Sequence, residues 1–195
     1  MPVTINGNGT ITGVSVGGLP DGIVDTDMLA ADSVTAPKIG SKTFTSYAII
    51  CDQKGTNTDG GSTSTGTFNV RDLNTELSDA DSIVSISSNQ FTLQAGTYLL
   101  RASAPAYRAE RHQIIIWNAT DSSLAALGTS EYNLNSSSGA TTRSFAVGRV
   151  TIGAAKAFEI RHRVGNAKSN DGFGIASNYD LQPSIYTIVE IYKEA

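Results

Sequence analysis

FTLQAGTYLLRASAPAY, residues 91–107, is the stretch that decides the fold class. Two short segments, 91–94 and 97–104, flank Ala95 and Gly96, a dipeptide typical of a tight turn. In each segment the apolar residues recur at every second position, as they do in a β-strand with one buried face. The sequence therefore predicts two strands here that pair with each other.

The same pattern recurs after residue 40. Short apolar or alternating runs are separated by clusters of Gly, Ser, Asn and Asp, and no long helical pattern is visible. The other predicted strands are 46–53, 67–73, 81–87, 112–118, 143–152, 157–164 and 186–194. Eight strands or slightly more is the count of a double-sheet jelly roll. We therefore predict an all-β protein in which residues 41–195 form a jelly-roll β-sandwich.

Composition limits the classes of function. Charged residues make up 16% of the 195-residue chain, its net charge is −4, and its pI is about 5.1. No run is rich in Lys and Arg, so we expect neither a nucleic-acid partner nor an anionic membrane surface. We expect no membrane insertion and no targeting signal, since no stretch approaches the ~20 apolar residues of a membrane span. Cys51 follows an apolar run and is predicted to be buried.

The segment before the predicted sandwich contains a short internal repeat. DGIVDTDMLA (21–30) and ADSVTAPKIG (31–40) align as two ten-residue units, in which Leu29 corresponds to Ile39. Each unit has too few apolar residues to form a core alone, so we predict that residues 1–40 form an extended arm that is buried by equivalent chains or by a host surface. The apolar anchoring positions are Ile23, Val24, Leu29, Val34 and Ile39.

Two predicted strands are apolar on both faces. Trp117 lies on the second face of strand 112–118, and Ile188 and Tyr192 lie on the second face of strand 186–194. A sandwich strand that faces water should alternate cleanly, so something covers these faces, and a neighbouring subunit does so economically. We therefore predict a self-association interface that contains Trp117, Ile188 and Tyr192.

These features resemble two known kinds of protein. The segment TINGNGTITGVSVGGLPDGIVDTDMLAADSVTAPKIG is similar to segments of bacteriophage tail-fibre proteins that precede a C-terminal head. The body resembles the tumour-necrosis-factor-like (TNF-like) jelly roll, which is also the globular head of complement's first component. The matching stretches are 91–107, 144–152, 157–164, 172–177 and 186–194.

The resemblance implies a homotrimeric virion protein, with the two-faced strands around a three-fold axis and the arm bound to other virion proteins. Because the arm is short for a long tail fibre, the leading interpretation is a short fibre or spike that attaches the virus to a host-surface glycan or protein. The alternative is a capsid decoration protein with no receptor role.

The loops offer candidate receptor-facing residues. Tyr107, Tyr132 and Tyr179 stand among small polar residues, and such mixtures make adaptable binding surfaces. Ordinary solvated loops with aromatic residues packed beneath them are the other interpretation of the same pattern.

No catalytic residue, metal site or cofactor is predicted. His162 shares a face with apolar residues and is expected to be a hydrogen-bonded core or interface residue, while His112 is expected at the rim of the sandwich. The many serines leave a Ser-His-Asp arrangement open, but no G-x-S-x-G motif occurs. Asp25 and Asp27 lack the glycine and the distal glutamate of a calcium loop. We expect no enzymatic activity.

Overall fold

The computed structural model describes residues 4–5, 11–12, 43–179 and 182–195. The chain divides into two compact units, Met1–Lys42 and Thr43–Ala195. In the first unit, β1 (Thr4–Ile5) pairs antiparallel with β2 (Ile11–Thr12). The predicted anchoring residues Ile23, Val24, Leu29, Val34 and Ile39 lie outside the described residues, and the arm stays a prediction.

The second unit is a sandwich of two antiparallel sheets. The five-stranded sheet has the order β12 (Thr141–Ile152), β8 (Gly96–Tyr107), β14 (Ser184–Glu194), β3 (Phe44–Lys54), β5 (Thr75–Ser78). The seven-stranded sheet has the order β10 (Ser123–Leu127), β9 (Glu110–Asn118), β13 (Lys156–Val164), β7 (Gln90–Leu93), β6 (Val84–Ser87). Two short strands join it: β11 (Glu131–Asn133) pairs with β9, and β4 (Asn69–Val70) pairs with β13. This arrangement is an all-β, double-sheet jelly roll, as the sequence predicted.

The strands β7 and β8 both occur close to their predicted positions, but they do not pair with each other. β7 pairs with β6 and β13, whereas β8 pairs with β12 and β14 in the other sheet. The prediction of a paired hairpin was wrong because the turn at Ala95 and Gly96 crosses from one sheet to the other. Both strands bury their apolar faces in the same core, so their alternation is the same as in a hairpin.

The core lies between the two sheets. Phe91 and Phe158 stack in it, with their ring centroids 5.6 Å apart. Fully buried aliphatic side chains from both sheets surround that pair: Ile50, Leu93, Leu100, Ile114, Ile116, Ile160 and Ile191. Cys51 is also buried and free, which confirms its prediction.

The sandwich has two distinct ends. At one end, β3 begins beside the last residues of β14, where Phe44 pairs with Glu194. At the other end, β3 finishes and β14 begins, where Lys54 pairs with Ser184. We call these the Phe44 end and the Lys54 end. Tyr107, the last residue of β8, lies at the Lys54 end, because β8 runs antiparallel to β14.

No helix among the described residues has the length and apolar character needed to cross a membrane.

Candidate functional site

The outward face of the five-stranded sheet is the candidate interface. Residues directly opposite each other on antiparallel strands project to the same face, so the strand register defines its rows. One row contains Tyr47, Tyr192, Leu99 and Arg149, the next Ile49, Glu190, Arg101 and Val147, and the third Cys51, Ile188, Ser103 and Phe145. We call this surface the outward face.

Large apolar side chains stand in solvent on the outward face. Tyr47, Phe145 and Val147 are 53%, 52% and 58% exposed. Phe44 is 37% exposed and packs against Tyr192, with ring centroids 5.3 Å apart. Exposed apolar side chains clustered on one surface are characteristic of interaction sites.

The charges on the outward face are largely neutralised within the chain. Arg101 Nη1 lies 3.1 Å from Glu190 Oε2, and Arg149 Nη2 lies 2.7 Å from Glu194 Oε2. Tyr192 Oη donates a hydrogen bond to Glu190 Oε2 at 2.9 Å. A second apolar surface could therefore approach this face without meeting unpaired charge of one sign.

The predicted interface residues fall on two different sheets. Ile188 and Tyr192 are half-buried on the outward face, whereas Trp117 lies on β9 of the seven-stranded sheet. Arg161 Cζ is 4.3 Å from the centroid of the Trp117 ring, and Ile115 is only 5% exposed. At Ile115 and Trp117 the second face of β9 is thus largely covered within the chain. Periodicity identified a two-faced strand but did not indicate which sheet would contain it.

Two exposed apolar members of the outward face, Phe145 and Val147, were missed in the sequence analysis. In the stretch Ser144 to Gly148, the small residues turn inward and the large apolar ones, Phe145 and Val147, turn outward. The alternation of small inward residues with large apolar outward residues along this strand was the sequence signal that could have identified the interface. A strand with its larger apolar residues on the solvent side indicates an interface.

A buried arginine connects the two sheets at the Lys54 end. Arg71 is fully buried, and its backbone N–H donates to Ile160 O of the seven-stranded sheet at 2.8 Å. Its side chain donates to Thr187 Oγ1, Pro105 O and Phe173 O at 2.8, 3.2 and 3.2 Å. Burial lowers the pKa of Arg71 to about 9, an effect that the Asp52 charge opposes, so the guanidinium remains cationic at neutral pH.

The guanidinium also stacks on an aromatic ring. Arg71 Cζ lies 3.9 Å from the centroid of Phe173, and the His162 ring stacks on the same phenyl ring, at 6.0 Å between centroids. Phe173 belongs to the connection between β13 and β14. Arg71 therefore holds this connection against both sheets.

Both histidines lie in the same buried network. His112 Nδ1 is 3.0 Å from His162 Nε2, and His112 Nε2 is 2.7 Å from Thr142 Oγ1. Asn133 Nδ2 donates to the same Thr142 hydroxyl at 3.0 Å. His162 is fully buried, as predicted, but the rim position predicted for His112 was wrong, since His112 is 3% exposed. The unpredicted strand β11 pairs with β9 at this position, so His112 has a neighbouring strand on both sides.

This network has no catalytic geometry within the described residues. Neither imidazole hydrogen-bonds a carboxylate there, and the buried His162 Nδ1 has no partner. Among the same residues, no group of three or more His, Cys, Asp and Glu side chains could hold a metal ion.

The histidine network predicts acid sensitivity. Burial and the Arg71 charge lower the pKa of His112 to about 4, although the Glu131 charge raises it, and burial lowers that of His162. Below pH 6.5 the histidines of the unfolded chain bind protons, whereas those of the folded chain stay neutral. The free energy of unfolding therefore decreases as the pH is lowered. For His112 we expect a loss of about 1–2 kcal/mol between pH 7 and pH 5, a value that allows for partial screening of the imidazole by solvent.

Urea unfolding at pH 7, 6 and 5 measures this loss. His112→Gln should be less stable than the wild type at pH 7. Its free energy of unfolding should also change less between pH 7 and pH 5, because the variant lacks one of the two histidines that bind a proton on unfolding. Equal slopes in the variant and the wild type would contradict the assignment.

The predicted receptor-facing tyrosines lie toward the Lys54 end. Tyr132 and Tyr179 are 58% and 74% exposed, while Tyr107 is half-buried with Arg108 Cζ 5.1 Å from its ring centroid. Tyr132 pairs in register with Arg111 at the start of β9. Tyr179 precedes β14, whose first residue lies beside Lys54. Two of the three rings are thus available to solvent.

Comparison with known proteins gives likenesses of fold only. No protein-family model matches the sequence, and no curated protein matches it. The globular domain of zebrafish complement 1qA is similar, with 13% identity and a TM-score of 0.48 over 75% of this chain and 95% of that chain. A crystal structure of murine APRIL at pH 8.0 has 10% identity and a TM-score of 0.47 over 75% of this chain and 98% of that chain. Identities this low say nothing about function.

Proposed function

We propose that this protein is a homotrimeric, non-enzymatic bacteriophage virion protein, the head of a short fibre or spike that attaches the virus to its host surface. The exposed outward face carries the proposal of self-association. The tail-fibre-like sequence of residues 4–40 supports the virion location and the anchoring role of the arm.

The outward face supports assembly because it exposes apolar side chains, whereas the solvent-facing side of a sheet in a monomer is usually polar. Its half-buried members Ile188 and Tyr192 lie beside exposed Tyr47, and exposed Phe145 and Val147 extend the surface to the edge strand β12. A second copy that covers these side chains removes their apolar area from water. The resemblance to TNF-like jelly rolls supports three copies in a closed ring.

The two ends of the sandwich support attachment. The chain enters the sandwich at the Phe44 end, and the exposed rings of Tyr132 and Tyr179 lie toward the opposite end. A head held at one end presents the other to a partner. Three heads on one axis would then convert weak single contacts into firm attachment through effective concentration.

Blocking of phage adsorption tests the attachment role. Purified protein at saturating concentration should bind cells of the infected bacterium and slow adsorption of subsequent virus. Tyr132→Ala and Tyr179→Ala should each weaken cell binding by about tenfold, the usual effect of truncating a contact ring. Leu124→Ala, at a residue 54% exposed near the Phe44 end, is the matched control and should bind normally.

Two results would overturn the attachment role. One is saturating protein that neither binds cells nor slows adsorption. The other is antibody that labels the capsid surface rather than the tail in electron micrographs of the particle. Together these two results would support the alternative role of a capsid decoration protein.

A further inference from the structure

A groove of about 310 Å³ opens beside the first residues of β9. Arg111, Gln113, Ser130, Glu131 and Arg163 are among the residues that line it. Arg111 and Gln113 alternate with the buried residues of β9, and Arg163 alternates with those of β13, so their side chains project away from the core. The groove therefore lies on the seven-stranded sheet, on the opposite side of the sandwich from the outward face.

The groove contains arginines whose charges are not neutralised by the chain. Within residues 43–179 and 182–195, neither Arg111 nor Arg163 lies within ion-pair distance of a carboxylate, whereas Arg161 on the same strand pairs with Glu159 at 2.5 Å. With Glu131 also in the lining, the groove carries one excess positive charge on a chain of net charge −4. An unpaired arginine pair in a concave site favours an anionic ligand.

Several lining groups are fixed before any ligand binds. Gln113 Nε2 donates to Gly128 O at 2.7 Å, and Thr129 Oγ1 donates to Glu131 Oε1 at 2.9 Å. Arg163 Cζ lies 5.7 Å from the centroid of the Phe68 ring. A pre-formed site loses less conformational entropy on binding than a flexible one.

Resting on the attachment role proposed above, we propose that this groove binds a saccharide that carries a carboxylate. The planar guanidinium groups of Arg111 and Arg163 suit bidentate hydrogen bonding to a carboxylate. The Gln113 amide and the Ser130 hydroxyl can hydrogen-bond sugar hydroxyls. Tyr132, in register with Arg111 and 58% exposed, offers a ring face for the apolar side of a sugar. The volume is at the lower limit of small-ligand sites, which suits one or two sugar rings.

Nuclear magnetic resonance of the arginine Nε–H groups tests this ligand class on the whole chain. The probes are short oligosaccharides of glucuronate, of galacturonate and of a sialic acid, each compared with its neutral methyl ester. We expect at least one acid form to shift the Arg111 and Arg163 signals, and its ester to bind about tenfold more weakly. Arg111→Gln and Arg163→Gln should each weaken binding by a similar factor. Arg161→Gln, on the same face of the same strand as Arg163, should bind like the wild type.

Three results would overturn the proposal. They are a panel in which no acid saccharide shifts the two signals, esters that bind as well as acids, and an oligoglutamate peptide that binds more tightly than any saccharide. Thermal unfolding of each variant checks that the substitutions leave the fold intact. Protein that blocks adsorption but binds no acid saccharide refutes this proposal alone, whereas protein that binds the saccharide without blocking adsorption refutes the attachment role and supports the groove.

Discussion

Arg71→Met is expected to lower the free energy of unfolding by about 3–5 kcal/mol, a large part of the stability of a domain of this size. Methionine fills much of the space but donates no hydrogen bond. Thr187 Oγ1 and the carbonyls of Pro105 and Phe173 would all lose the donor that Arg71 provides. The stacking of the guanidinium on the Phe173 ring would also be lost.

Urea unfolding at pH 7.5 measures the effect of Arg71→Met. Arg71→Lys is the matched control. It keeps the positive charge but not the planar guanidinium with its several N–H donors, so it should lose less stability than the methionine variant. The pKa of His112 should rise in the methionine variant, because the Arg71 charge is one of the causes that lower it. A loss below about 1 kcal/mol would show that other groups hold the two sheets together at the Lys54 end.

Val147→Asp is expected to dissociate the proposed trimer. Three chains of 20.4 kDa give about 61 kDa, which is the mass expected for the wild type in sedimentation equilibrium. Val147 is 58% exposed in the single chain, so the aspartate is tolerated in the monomer. In an assembly that covers the outward face, the same carboxylate would be buried without a partner, and the association constant should fall by a hundredfold or more, roughly.

Val70→Asp is the matched control for the interface variant. Val70 is 41% exposed on β4 of the seven-stranded sheet, so the same chemical change there should leave the assembly intact. The wild-type assembly should also resist salt, because burial of apolar area is not screened as ion pairs are. A wild-type monomer at micromolar concentration would refute the trimer.

The long strands were predictable from the sequence because each has one face in a continuous core. β3, β8, β9, β12, β13 and β14 all lie within a few residues of their predicted ranges. The short strands β5, β10 and β11 were missed because none of them has large apolar residues at alternate positions, the pattern by which the equally short β6 and β7 were predicted. The predicted strand 67–73 is reduced to Asn69–Val70, because Arg71 turns inward to hydrogen-bond across the sandwich.

The candidate sites were less predictable than the strands. Burial of His162 follows from its place among apolar residues, but its contact with His112 depends on the register between β9 and β13, which alternation does not fix. The same register places Arg163 opposite Gln113 and so forms one wall of the groove. Sites built from residues far apart in the sequence require the pairing of the strands to be known first.

The position of β3 between two strands of its sheet, β14 and β5, has a mechanical consequence. The strand begins at the end where the chain enters the sandwich, and it is hydrogen-bonded on one side to β14 along most of its length and on the other to β5. Tension applied through residue 43 and resisted at the Lys54 end runs parallel to this strand. All the bonds between β3 and β14 then share the load instead of opening one after another. A head gripped at its far end would therefore withstand a pull that would unzip a peripheral strand.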